Sequence, residues 1–305
     1  MAGAFTHFIL SDEAKRRETL LDPELMRTLN EYSEFLFLGS VSPDMPYLSF
    51  KKGKTNWADC MHYENTNCIV EQGYEKLKNG FSNWQESDWL SYVWLMGYVS
   101  HLIADATIHP IVEAIVGPYA ENKAKHCACE MTQDSLIFFA KKNFDITIAE
   151  FIDILRLCND HPDFNELLKF WKRLAKNAYS RADDPNPRLW FRTYSTALDI
   201  VDNSGIAAFF RHVGIAQRYL YRPANEIMAS FPQDYETYYS KVRLPGGNSG
   251  IFIKDGFDKA VNNIVEAWNR LYAGLTSPLI VADIIRNWNL DTGIDALTGA
   301  MTYWS

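Results

Sequence analysis

Apolar residues mark the helices of this chain before any motif does. From Asp22 to Leu38, positions Leu25, Met26, Leu29, Tyr32, Phe35 and Leu36 recur at helical spacing. Asp22-Pro23 supplies an N-cap and a proline at the first helical position, and Gly39 ends the run. The following loop, GSVSPDMPYLSF, carries two prolines that stop any helix. Residues 1–9 read as a short apolar lead, residues 12–21 as a short charged helix, and residues 68–80 as another helix. The longest apolar segment runs from Ser87 to Val116, and Pro110 within it predicts a kink or a break. Gly117-Pro118 ends that segment, and a further helix runs on toward Phe139. Helical patterning returns at Ile146–Cys158, Phe164–Tyr179, Pro187–Asn203, Ser204–Tyr221 and Phe257–Leu275. SRADDPNPR reads as a loop, and KVRLPGGNSGIFIKDG as a loop or small hairpin and a candidate lid. Strand signals are sparse. The expected fold is all-α, a multi-helix bundle forming a single domain over residues 1–305.

Polar residues interrupt the apolar pattern at regular intervals. His101, Asp105 and His109 stand at i, i+4 and i+8, and His126 and Glu130 at i, i+4. Four residues turn a helix by about 400°, so each set forms a stripe on one face. Two helices facing each other with these stripes would offer five nitrogen and oxygen ligands of the kind zinc takes. The plainer account is a set of hydrogen-bonded polar groups in a core. Three His–acid pairs in 30 residues, in a chain with 7 histidines, favour the metal. Asp44 lies between Pro43 and Met45, where an ordinary turn aspartate would also sit. His62 stands alone, with Asp59 three residues before it as a partner for the imidazole. His161 and His212 have no acid four residues away and are not taken as ligands.

Composition narrows the class. At 305 residues, 47% hydrophobic and 22% charged, the chain has the make-up of a globular protein. A net charge of −8 and a pI near 5.4 argue against a long nucleic-acid duplex as partner. The 14% aromatic content fits a ring-packed helical core, or an aromatic-lined cleft or lipid-facing rim. Five irregularly spaced cysteines do not suggest a disulfide framework, and Cys127 and Cys129 read as packing residues. The start, MAGAFTHFIL, lacks the features of a signal peptide, and no run of 18 apolar residues predicts a membrane span. A cytoplasmic location is the expectation.

Taken in order, THFIL, GSVSPD, the isolated His62, GYVSHLIADATIHP and HCACE resemble the bacterial zinc-dependent phospholipase C superfamily, whose fold single-strand-specific zinc nucleases share. The resemblance covers roughly residues 1–140 and makes that stretch the metal-binding part. Residues 141–305 would be additional helices of unassigned role. It implies a helical bundle holding two or three zinc ions, where a metal-bound water attacks a phosphodiester, most readily that of a phospholipid. His7 matches the first histidine ligand, and His62 the next. Asp44 matches the loop aspartate that binds metal and serves as general base. His101 and Asp105 match the central pair whose aspartate bridges metals, His109 the histidine after it at a shorter spacing, and His126 and Glu130 the final pair. Secreted members also ligate through the amino-terminal residue; here Ala2, after loss of Met1, would take that part or none would. A nuclease or soluble phosphodiesterase on the same cluster is the alternative, and a non-catalytic metal-binding helical protein a further one.

Overall fold

The computed structural model describes residues 3–48, 56–145, 149–203 and 221–304. Its helices are α1 (Ala4–Lys15), α2 (Pro23–Glu31), α3 (Ser33–Val41), α4 (Asn56–Tyr63), α5 (Cys68–Gly80), α6 (Glu86–Val116) and α7 (Tyr119–Lys142). They continue with α8 (Ala149–Asp160), α9 (Phe164–Ala178), α10 (Pro187–Asn203), α11 (Ala224–Ser230), α12 (Pro232–Tyr235) and α13 (Asp258–Ala273). Two hairpins of two-residue strands, Val242–Arg243 with Ser249–Gly250 and Trp288–Asn289 with Ile294–Asp295, are the sheet among the described residues. The fold is all-α.

The bundle is organised around α6, which α1, α3, α5, α7 and α13 all touch. Every residue from Leu90 to Val112 is buried, so over this span the helix has no face toward solvent. It is long and apolar enough to cross a bilayer, but 78% of its most apolar window is covered by the rest of the protein. Trp57, Trp94, Trp171, Trp190, Trp268 and Trp288 are all fully buried, which assigns much of the aromatic content to the core.

The tightest crossing is that of α3 on α6. A Cβ on Gly39 would stand 2.0 Å from the Trp94 carbonyl oxygen, and one on Gly97 would stand 2.0 Å from that of Leu36. Backbone meets backbone there, and only hydrogen fits between. Gly97→Ala should therefore force the helices apart and destabilise the fold by about 3 kcal/mol, the upper end of ordinary overpacking costs. Urea denaturation checks this, and an unchanged midpoint would contradict it.

Three expectations from the sequence are corrected. Residues 1–9 are not a lead preceding a separate helix at 12–21, because α1 is continuous across that boundary. Its residues Phe5–Asp12 are buried on all sides, which leaves no periodicity to read. The run from Asp22 to Leu38 is two helices, broken at Tyr32 (φ −114°, ψ 37°). Of the kink or break expected at Pro110, the break does not occur, and α6 runs on to Val116. Pro110 leaves the Ala106 carbonyl without its helical donor, and Gly293 (φ 66°) packs over this place. A Cβ on Gly293 would meet the Ala106 oxygen at 2.5 Å and Pro110 Cγ at 2.7 Å. Ala2 and the expected helix from Ser204 up to Tyr221, with His212, lie outside the described residues, apart from Tyr221 itself.

Candidate metal centre

Five segments converge on one buried cluster. Helix α1 brings His7, and the turn after α3 brings Asp44. Helix α4 brings His62, α6 brings His101, Asp105 and His109, and α7 brings His126 and Glu130. All eight are buried; Glu130 at 9% and Asp44 at 7% are the most open, and Asp105 is fully enclosed. The eight form three groups: His7, His101 and Asp105; Asp44, His62 and His101; and His109, His126 and Glu130. Within each group the ligand atoms lie within 4.8 Å of one another.

Asp105 sits at the middle. Its Oδ1 is 3.3 Å from both His7 Nε2 and His109 Nε2, and its Oδ2 is 3.3 Å from His101 Nε2 and 3.8 Å from His62 Nε2. On one side, Asp44 Oδ1 lies 3.1 Å from His62 Nε2 and 3.9 Å from His101 Nε2. On the other, Glu130 Oε1 lies 3.0 Å from His126 Nε2 and 3.3 Å from His109 Nε2. His7 and His101 stack with ring centroids 4.1 Å apart.

The fit to a metal can be tested on the imidazoles. His62 Nδ1 donates to the Ala58 carbonyl at 2.8 Å, His101 Nδ1 to Ser40 at 2.9 Å, and His109 Nδ1 to Leu290 at 2.5 Å. Each such bond fixes the tautomer and leaves Nε2, the atom aimed into the cluster, as a lone-pair donor. Both ring nitrogens of His7 are buried without a hydrogen-bond partner among the described residues, an expensive state for a polar ring that ligation would relieve. Burial works against each carboxylate, and the facing groups outweigh it. His101 and His62 hold Asp44 below the usual carboxylate range; His109, His101 and His7 hold Asp105 well below it. Nearby positive charge and the facing His109 and His126 do the same for Glu130. Burial lowers the His126 imidazole, against its bond to Glu130. Ionised carboxylates with nitrogen and oxygen donors and no thiolate are the set for a catalytic rather than a structural zinc site.

The structure thus brings together all eight side chains that the sequence offered as metal ligands. It departs on their supports. Asp59 does not hold His62; the carbonyl of Ala58 does. His161 is elsewhere, 3.7 Å from Glu86 and edge-on to Phe35. Cys129 is buried in packing, and the Cys127 thiol contacts Met131. The KVRLPGGNSGIFIKDG stretch forms a hairpin with Val242 and Phe252 buried at its base.

Sequence reasoning missed the segment from Trp288 to Asp295. Leu290 accepts from His109 through its carbonyl and donates its amide to the His62 carbonyl at 3.0 Å, so one residue pins two ligands. Gly293 lets this segment lie against α6. Gly293→Val should lift it, freeing the His109 imidazole, loosening the backbone at His62 and weakening zinc binding by about tenfold, as loss of an outer partner of a ligand does. Competition against a chromophoric chelator would measure this; wild-type affinity would mean that the segment does not orient the ligands.

A family model described as zinc dependent phospholipase C matches residues 6–184, a span that holds all eight of these residues. No curated protein and no solved structure matches the chain.

Proposed function

From the premise that this chain belongs to the zinc-dependent phospholipase C family, we propose that it hydrolyses phosphodiester bonds of the phospholipid kind, with zinc held by His7, Asp44, His62, His101, Asp105, His109, His126 and Glu130. The observation that carries this reading is the convergence of eight buried donors around Asp105, with three histidines fixed through their far nitrogens. The three groups reuse His101, so they describe two or three ions. Zinc there would neutralise the phosphoryl oxygens, make water nucleophilic near neutral pH and stabilise the leaving oxygen.

The chain's own residues divide the remaining work. Asp105 faces four imidazoles and spaces the metal positions. Asp44, ionised and among the most open of the eight, is placed to take the proton from the attacking water. Asp44 Oδ1 and His62 Nε2, 3.1 Å apart, would share one ion, which would keep Asp44 in position. The rings of Tyr47 and Tyr63 lie beside His62, at 5.3 and 6.1 Å between centroids, and that of Tyr119 is 4.9 Å from His126. Tyr63 donates to Asp291 at 3.0 Å. Because burial keeps the three tyrosine hydroxyls protonated, Asp291 alone of these four residues carries a negative charge. A polyanionic strand would bring further phosphates against it, whereas a single diester would not, which favours the phospholipid over the nuclease reading.

The test compares zinc-loaded protein on phospholipid in mixed micelles and on a single-stranded oligonucleotide. Release of a phosphorylated headgroup and diacylglycerol is expected. Cleavage of the oligonucleotide alone would establish the nuclease reading, and no turnover by zinc-loaded protein would leave a metal-binding protein without this chemistry.

A further inference from the structure

One turn beyond Glu130 on α7 stands a second acid of the same stripe, Asp134, which takes no part in any of the three ligand groups. It is fully buried, yet three donors face it. The Thr6 amide donates to Oδ1 at 2.9 Å, the Thr6 hydroxyl to the same oxygen at 2.5 Å, and the Tyr221 hydroxyl to Oδ2 at 2.8 Å. Thr6 is the third residue of α1. The N-cap of that helix is Gly3, which has no side chain with which to cap it, and Asp134 supplies the missing acceptor from another helix. Gly3 is required for this: a Cβ there would stand 1.9 Å from Asp134 Oδ2. The Gly3 carbonyl in turn accepts from the His7 amide at 3.3 Å. Tyr221 closes the arrangement by packing edge-on against Phe5, centroids 4.9 Å apart.

The first turn of α1 is therefore fastened to the helix that carries His126 and Glu130, through one carboxylate adjacent in sequence to neither His7 nor Glu130. We propose that Asp134 is a positioning residue for the metal centre: it sets His7 against His101 and Asp105, and so governs the affinity of the zinc held by His7 without touching metal or substrate. This rests on the zinc reading above. The stripe His126, Glu130, Asp134 then serves two metal positions, one by ligation and one through the cap of α1.

The experiment measures zinc per chain after dialysis, and zinc affinity by chelator competition, in wild type, Asp134→Ala, Asp134→Asn, Tyr221→Phe, His7→Ala and the Asp134→Ala/His7→Ala double variant. Asp134→Ala should weaken one zinc equivalent by about tenfold or more, the size of effect seen when an outer support of a ligand is lost, and leave the others in place. Asp134→Asn keeps an acceptor for Thr6 and should recover most of that affinity, and Tyr221→Phe should show a smaller loss of the same equivalent. His7→Ala should lose that same equivalent, and adding Asp134→Ala to it should change nothing further, as for two residues acting through one interaction. Unchanged affinity in both Asp134→Ala and Tyr221→Phe, a parallel loss of all zinc, or additive effects in the double variant would each overturn the proposal. Wild-type protein that takes up no zinc would overturn the metal reading beneath it, a distinct result.

Discussion

Asp105→Ala should abolish zinc binding and phosphodiesterase activity together. Asp105 is fully buried and faces His7, His62, His101 and His109, so its removal takes a ligand from more than one position and leaves imidazoles without their central counter-charge. The loss of affinity should exceed about a hundredfold, the upper range for losing only an outer partner of a ligand. Thermal denaturation gives a second reading of the same variant. Zinc at about 1,000 times its dissociation constant stabilises a folded protein by about 4 kcal/mol, and that increment should vanish in Asp105→Ala while persisting in wild type. Full zinc content with full activity in Asp105→Ala would end the metal-centre interpretation.

Asp44→Asn should separate binding from chemistry. The amide is close in shape to the carboxylate and can keep the contact with His62, but it cannot accept a proton. Most of the zinc should remain, because the groups built on His101 with Asp105 and on His109 with Glu130 do not use Asp44. The turnover number should fall by about 10²- to 10⁴-fold, the usual contribution of a general base, with little change in KM. Zinc content and kcat measured on one preparation decide the matter. Undiminished turnover at full zinc occupancy would show that another group takes the proton.

The site was legible in the sequence to the extent that its geometry is local. His101, Asp105 and His109 are joined by helical spacing alone, as are His126 and Glu130. His7, Asp44 and His62 lie on separate segments, and only the order of motifs linked them to the others. The supports were not legible, because they are contacts between distant parts of the chain. The Ser40 carbonyl that fixes His101 depends on two glycines, Gly39 and Gly97, meeting across a helix crossing. The Leu290 carbonyl that fixes His109 is 181 residues away. Helix α1 was obscured for a different reason: enclosed on all sides, it has no polar face to set its period. Asp134 did carry a signal, since it extends the α7 stripe by one more turn.

The placement of Leu290 also bears on when the site can be completed during synthesis. The last of the eight donors, Glu130, precedes Leu290 by 160 residues (290 − 130). At about 5–20 residues per second, the ribosome leaves the nascent donors without that backbone clasp for roughly 8–32 s. Throughout this interval the His109 imidazole lacks the carbonyl that orients it, and the backbone of His62 lacks its anchor. Zinc capture by His109 is therefore expected only once most of the chain has emerged, which would make it one of the closing steps of folding rather than its nucleus.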